Sequence, residues 1–201
     1  MAEPLADLPA GVSAQAGQVL RKIGEARELY HRLILMVGPA GSGKTSALQE
    51  VSASTSAPLV NVNLDLSRRM LDLTERQRAL QLPRLLQDVC ESSVERQTSE
   101  LLLLDNIEIL FDVRLKQDPL RLLQQLSRNK TIVVAWPGGV VDPHEAHDAS
   151  ARKEERRASH DAGRYLTYAV PDHPEYRRYP IRDLIIVSAS SVQRHASGGQ
   201  V

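Results

Sequence analysis

The strongest chemical signal in this 201-residue chain is the run Gly38-Pro39-Ala40-Gly41-Ser42-Gly43-Lys44-Thr45, followed by Ser46. It fills every fixed position of the pattern G-x-x-x-x-G-K-[ST]. Glycines at these spacings let a backbone wrap a phosphate chain without Cβ clashes. Successive N–H groups then point at the anion, and the helix that follows adds its positive end. In this pattern Lys44 reaches the β- and γ-phosphates, and Thr45 offers a hydroxyl to Mg²⁺. The expected ligands are ATP and Mg²⁺, cradled from Gly38 through Ser46.

A second signal is Leu101-Leu102-Leu103-Leu104-Asp105, an apolar run closed by a carboxylate. Beside a phosphate loop, such an Asp holds Mg²⁺, usually through water. ATPases with an added sensor strand usually carry Glu at the next position to polarise the attacking water. Here it is Asn106, whose amide can orient water but takes no proton. Glu108 is the nearest acid able to substitute. If the strand continued, positions 105 and 108 would face opposite ways. If a turn begins at Asn106, Glu108 comes back toward the site. Lys44, Asp105, Asn106 and Glu108 thus form the expected catalytic set. Slow hydrolysis, or hydrolysis completed by a partner, is favoured over ordinary turnover.

Other groups leave alternatives open. Asn61 and Asn63 close an expected second strand and either reach the water-activating group or merely terminate that strand. The fourth strand ends at Ala135-Trp136-Pro137, without the usual polar sensor, and Trp136 is either a core plug or a surface anchor. Arg121, Arg128, Arg177, Arg178 and Arg182 are candidates for an arginine finger on a neighbouring subunit, or simply solvated side chains. His173-Pro174-Glu175-Tyr176-Arg177 matches no metal spacing, so no metal beyond Mg²⁺ is expected. Arg152–Arg157 mixes signs without interleaved aromatics and reads as a solvated face.

These groups require a scaffold of alternating strands and helices. Apolar positions from Ala14 to Arg32 recur at helical spacing, though Gly17 and Gly24 weaken that helix. Leu33–Val37 reads as a strand buried on both faces. A helix from Lys44 to about Ser54 and a strand over 58–62 follow. Thr74-Glu75-Arg76-Gln77 has the form of a capping box, and Pro83 is expected to start a helix reaching about Thr98. Asp118-Pro119 sets another helix start, with Leu122, Leu123 and Leu126 on its buried face. Thr131–Ala135 reads as a strand closed by Pro137-Gly138-Gly139. Order returns at Tyr165–Tyr168, and the last strand is expected over 183–187. The predicted fold is α/β: a three-layer P-loop NTPase core, mostly parallel, of about five strands with helices on both faces. No C-terminal helical lid is expected. The organisation is a flexible N-terminus over 1–13, the core over 14–188 with a charged insertion at about 142–164, and a flexible tail over 189–201.

Composition narrows the class. Lys and Arg number 25 against 25 Asp and Glu, which argues against binding nucleic acid by bulk charge, although a local patch stays possible. Cys90 is the sole cysteine, so an intramolecular disulfide or thiolate cluster is out. The N-terminus has no basic segment of the signal-peptide kind, and no apolar run reaches membrane-spanning length. A cytoplasmic protein without a membrane partner is the expectation.

From Leu33 to about Val187 the sequence resembles BrxF, a family of small P-loop proteins in type III BREX anti-phage defence. The resemblance is carried by residues 35–45, Asn63-Leu-Asp-Leu-Ser-Arg-Arg69, Leu103-Leu-Asp-Asn-Ile-Glu108, Asp118–Gln124, Leu126–Asn129, Val133-Val-Ala-Trp-Pro-Gly138 and His173–Arg177. The Asp-Asn-Ile-Glu and Ala-Trp-Pro-Gly segments are more distinctive than the phosphate loop. The resemblance implies an ATP-binding, AAA+-like component of a multi-protein defence system, with defence proteins as partners and a homo-oligomer possible. It places Gly38, Gly43, Lys44, Thr45 and Asp105 in the nucleotide site and makes Asn106 part of the family pattern. Other readings remain: a small-molecule kinase using the insertion's Arg152, Arg156 and Arg157 as a lid, a loader-like DNA-remodelling ATPase, or a scaffold that binds nucleotide without turnover.

Overall fold

The computed structural model describes residues 12–95, 99–142, 164–182 and 184–189. Most of the expected loose N-terminus, charged insertion and tail lies outside these residues.

Five strands form a parallel sheet: β1 (Leu33–Gly38), β2 (Leu59–Asn61), β3 (Leu101–Asp105), the first half of β4 (Thr131–Val141) and β7 (Ile185–Ser188). Their order is β2–β3–β4–β1–β7. Both β1 and β3 are buried along their whole length, as continuous apolar runs in a covered sheet must be. Side chains alternate between faces. Leu33, Leu35, Leu102, Ile132 and Trp136 meet α3 (Val62–Arg69), α4 (Glu75–Glu95) and α5 (Pro119–Leu126). Ile34, Met36, Leu103 and Val133 meet α1 (Ala14–Ala26) and α2 (Lys44–Thr55) on the other face. The three-layer α/β architecture is therefore as expected, and among the described residues no helix follows α5.

Several elements differ from the sequence reading. Asn61 ends β2, but its Oδ1 accepts from the Leu64 N–H at 3.0 Å and caps α3, a helix the apolar pattern had not announced. Asn63 accordingly sits in a helix rather than closing a strand. The N-cap bond satisfies an orphan helical N–H, which a strand end would not require. Helix α4 starts at the capping box and not at Pro83. The Gln77 Oε1 accepts from the Thr74 N–H at 2.9 Å, and Thr74 Oγ1 accepts from the Gln77 N–H at 3.4 Å. Pro83 sits inside the helix and has no N–H for the Ala79 carbonyl. That carbonyl instead accepts from Gln117 Nε2 at 2.9 Å, so a neighbouring loop makes good the missing bond.

Strand β4 does not close at Pro137-Gly138-Gly139. It runs on to Val141, leaves the parallel sheet, and pairs antiparallel with β5 (Tyr165–Tyr168). β5 pairs in turn with β6 (Arg177–Pro180), which the sequence reading missed. Among the described residues the five parallel strands are therefore joined by two antiparallel ones, β5 and β6. The glycine that read as a stop is a close-approach site: a Cβ on Gly138 would lie 1.9 Å from the Thr167 carbonyl oxygen. Trp136 is fully buried and donates from Nε1 to that same oxygen at 2.9 Å, so it is a core plug.

Candidate functional site

The site forms where the parallel strands end. The loop from Gly38 joins β1 to α2 and turns at Gly41 and Gly43, with φ of +75° and +85°. Side chains rarely adopt such angles, which explains glycine at both positions. Gly43 caps α2, so the first N–H groups of that helix face the loop. Lys44 Nζ donates to the carbonyls of Gly38 at 2.7 Å and Pro39 at 2.6 Å, and to Ser42 Oγ at 3.2 Å. Burial pushes the Lys44 pKa below its ordinary value, while the carboxylates of Asp105 and Glu108 act in the opposite sense.

Asp105 is buried at the end of β3, in register with Asn61 of β2. Its Oδ1 accepts from the Asn106 N–H at 3.0 Å. Asn106 has φ of +52°, a left-handed conformation that Asn tolerates better than most side chains. Its carbonyl accepts from the Asn63 N–H at 2.9 Å. The strand therefore stops at Asp105 and a turn begins at Asn106. A one-turn 3₁₀ segment, Glu108–Phe111, follows at once. Of the two geometries open in the sequence, the turn is the one adopted. It places Glu108 on the same cleft as Asp105.

That cleft has a volume of ≈ 380 Å³ and is walled by Gly41, Gly43, Lys44, Thr45, Ser46, Asp105, Asn106 and Glu108. Ala40 joins them from the loop, and Ala135 and Pro137 from β4. Gly38, Pro39 and Ser42 act one step back, as acceptors for Lys44. A second cavity of ≈ 400 Å³, lined by Asn61, Asn63, Leu64 and Ser67, shares Asn106 and Glu108 with the first. The Thr45 hydroxyl and the Asp105 carboxylate are hard oxygen donors on one cleft. One carboxylate and one hydroxyl, with space for phosphate oxygens and water, is a donor set that suits Mg²⁺. Among the described residues, no three His, Cys, Asp or Glu side chains gather as a metal cluster.

None of the five candidate arginines lines the cleft. Arg128 stacks over Tyr30 at 5.6 Å, just before the start of β1 and so at the end of the strands away from the cleft. Arg178 stacks over Tyr165 at 4.4 Å, and Arg177 Nη1 donates to the Tyr176 carbonyl at 2.9 Å. Sequence reasoning missed Gln15, whose Nε2 donates to the Ser42 carbonyl at 3.3 Å and ties α1 to the phosphate loop. No motif marks it, because the contact exists only once α1 lies against α2.

The profile of the AAA family, "ATPase family associated with various cellular activities", matches residues 34–135, just over half of the chain. The chain belongs to this family. It has the family's P-loop NTPase fold, and the family implies nucleotide binding. No curated protein matches the sequence. Among solved structures, AMPPCP-bound DnaA from Aquifex aeolicus is similar at 18% identity and a TM-score of 0.38. The match covers 75% of this chain and 45% of that one, so the chain spans less than half of the DnaA structure. No helix among the described residues is long and apolar enough to cross a membrane.

Proposed function

We propose that the chain is a Mg²⁺-dependent ATP-binding protein with slow or partner-completed hydrolysis, serving as the nucleotide-controlled component of a cytoplasmic anti-phage defence complex of the BREX kind. The observation that carries the nucleotide reading is the convergence of Lys44, Thr45, Asp105, Asn106 and Glu108 on one cleft. Lys44 exchanges its loop carbonyls for β- and γ-phosphate oxygens. The loop N–H groups and the start of α2 hold the phosphate chain. Thr45 and Asp105 would hold Mg²⁺, which when bound supplies charge neutralisation to the phosphates. Asn106 orients the attacking water, and Glu108 accepts its proton. Glu108 is exposed at the cleft mouth, which suits a base brought fully into place only in an assembly.

The defence role rests on the Asp105–Glu108 and Ala135–Gly138 segments, both of which border the cleft. A neighbouring copy or a defence protein would complete the site, and an arginine from Arg121, Arg128, Arg177, Arg178 or Arg182 of a second copy is a candidate. The deciding experiment is purification from cells carrying the native gene neighbours, with mass measurement with and without ATP. Capture of defence proteins in an ATP-dependent assembly is expected. Full phage protection by a Lys44→Ala strain would refute the role.

The cavity next to the cleft favours one alternative, a kinase whose acceptor sits against Asn61, Asn63 and Ser67. Phosphate release to water without transfer to nucleosides would dismiss it.

A further inference from the structure

The chain's single tryptophan and single phenylalanine pack together with two tyrosines, directly behind the cleft. The Phe111 ring lies parallel to Tyr168, with centroids 3.5 Å apart and planes 11° apart. It meets Trp136 edge-on at 5.1 Å, and Trp136 meets Tyr179 edge-on at 5.7 Å. Trp136 precedes Pro137, which lines the cleft, and Tyr168 ends β5. Phe111 ends the 3₁₀ turn that begins with Glu108.

That turn cannot hold its own position. It is four residues long, with short-range bonds from the Leu110 N–H to the Ile107 carbonyl and from the Asp112 N–H to the Ile109 carbonyl. Such bonds are geometrically poor, and one turn is below the length at which a helix sustains itself. It also follows the left-handed Asn106. Its placement must come from what packs against it. In a 3₁₀ turn, residues three apart share one edge. Phe111 and Glu108 therefore move together. Tyr168 reaches Phe111 from another part of the sheet. Its phenol is pushed up to about 12, chiefly by burial and further by the Glu175 and Glu108 carboxylates, so it lies within electrostatic reach of Glu108 itself.

We propose that Tyr168 is a positioning residue for Glu108: by stacking on Phe111 it holds the Glu108 turn against the nucleotide cleft. Strand β5 thereby governs turnover without touching the nucleotide bound to its own chain. The inference rests on the ATPase reading given above.

The test uses the full chain, with ATP affinity followed by Trp136 fluorescence and hydrolysis followed in single turnover with protein in excess. Tyr168→Leu removes the stacked ring, and Tyr168→Phe keeps it. The expected result for Tyr168→Leu is a hydrolysis rate lower by about tenfold to a hundredfold, the scale of a misplacement near 1 Å, with ATP Kd within about twofold of the parent. Tyr168→Phe should retain the parental rate. A parental rate in Tyr168→Leu, or a rise in Kd that accounts for its whole loss, would overturn the proposal while leaving the ATPase reading standing. If Tyr168→Leu does not fold, Tyr168→Met carries the same comparison. A parent chain that hydrolyses no ATP even with its native partners present, or a Lys44→Ala chain that binds ATP equally well, defeats the ATPase reading and this inference with it.

Discussion

Replacing Lys44 with Ala should weaken ATP binding more than it weakens the fold. In the free protein the ammonium is held by neutral acceptors, two carbonyls and a hydroxyl, at 2.6 to 3.2 Å. With only one partner charged and the site half-exposed, such bonds contribute about 1 kcal/mol each, whereas bonds between two charged groups contribute about 1.5–3 kcal/mol. A unit charge pair at 4 Å near a protein surface adds about 4 kcal/mol before screening. Lys44 is only half-buried, so salt reduces that figure. Setting the lost loop bonds against the phosphate contacts leaves about 2–4 kcal/mol for binding. At about 1.4 kcal/mol per decade, Kd should rise roughly 30-fold to 1000-fold. The fold loses three loop bonds, offset in part because burial disfavours the ammonium, so stability should fall by about 1–2 kcal/mol. Calorimetric titration with ATP at physiological salt, paired with urea unfolding, measures both. A Kd within about threefold of the parent would refute the reasoning, because it would mean that Lys44 never leaves the loop carbonyls.

Substitutions at three other positions probe the frame around the site. Gly138→Ala should destabilise the protein by about 1–3 kcal/mol in chemical denaturation, since its Cβ would meet backbone at 1.9 Å; an unchanged midpoint would contradict the close approach. Asn106→Ala should cost about 1–2 kcal/mol for its left-handed angle, while Asn106→Gly should match the parent in the same unfolding assay. Burial pushes the Cys90 thiol up from 9.0 to about 12, so a thiol reagent at neutral pH should label it only after unfolding. Because the folded value is the higher one, the stability this thiol contributes is complete below about pH 9 and lost as pH climbs toward 12. Cys90→Ala should flatten the alkaline fall in stability across that window.

The phosphate loop and the core strands were legible because their signals are local. A glycine spacing and an unbroken apolar run such as Leu101–Leu104 depend on nothing distant. Two of the errors involve partners far along the chain. Pro83 read as a helix start because its missing N–H should end a helix, and only Gln117 makes the interior position tenable. Pro137-Gly138-Gly139 read as a stop, although Gly138 is there to let β5 approach. Asn61 read as a strand end, and it caps α3 because that helix can bury Val62 and Leu66.

The same division runs through the site. By itself the sequence determined the glycine loop between β1 and α2, that Asp105 ends the third strand, and that an amide stands at 106. Those facts follow from residue type and short spacing. Only the tertiary structure decided where Glu108 goes. A single 3₁₀ turn has too few bonds of its own to choose an orientation. The choice is made by Phe111, packed between Trp136 of β4 and Tyr168 of β5, rings brought together only by the folded sheet.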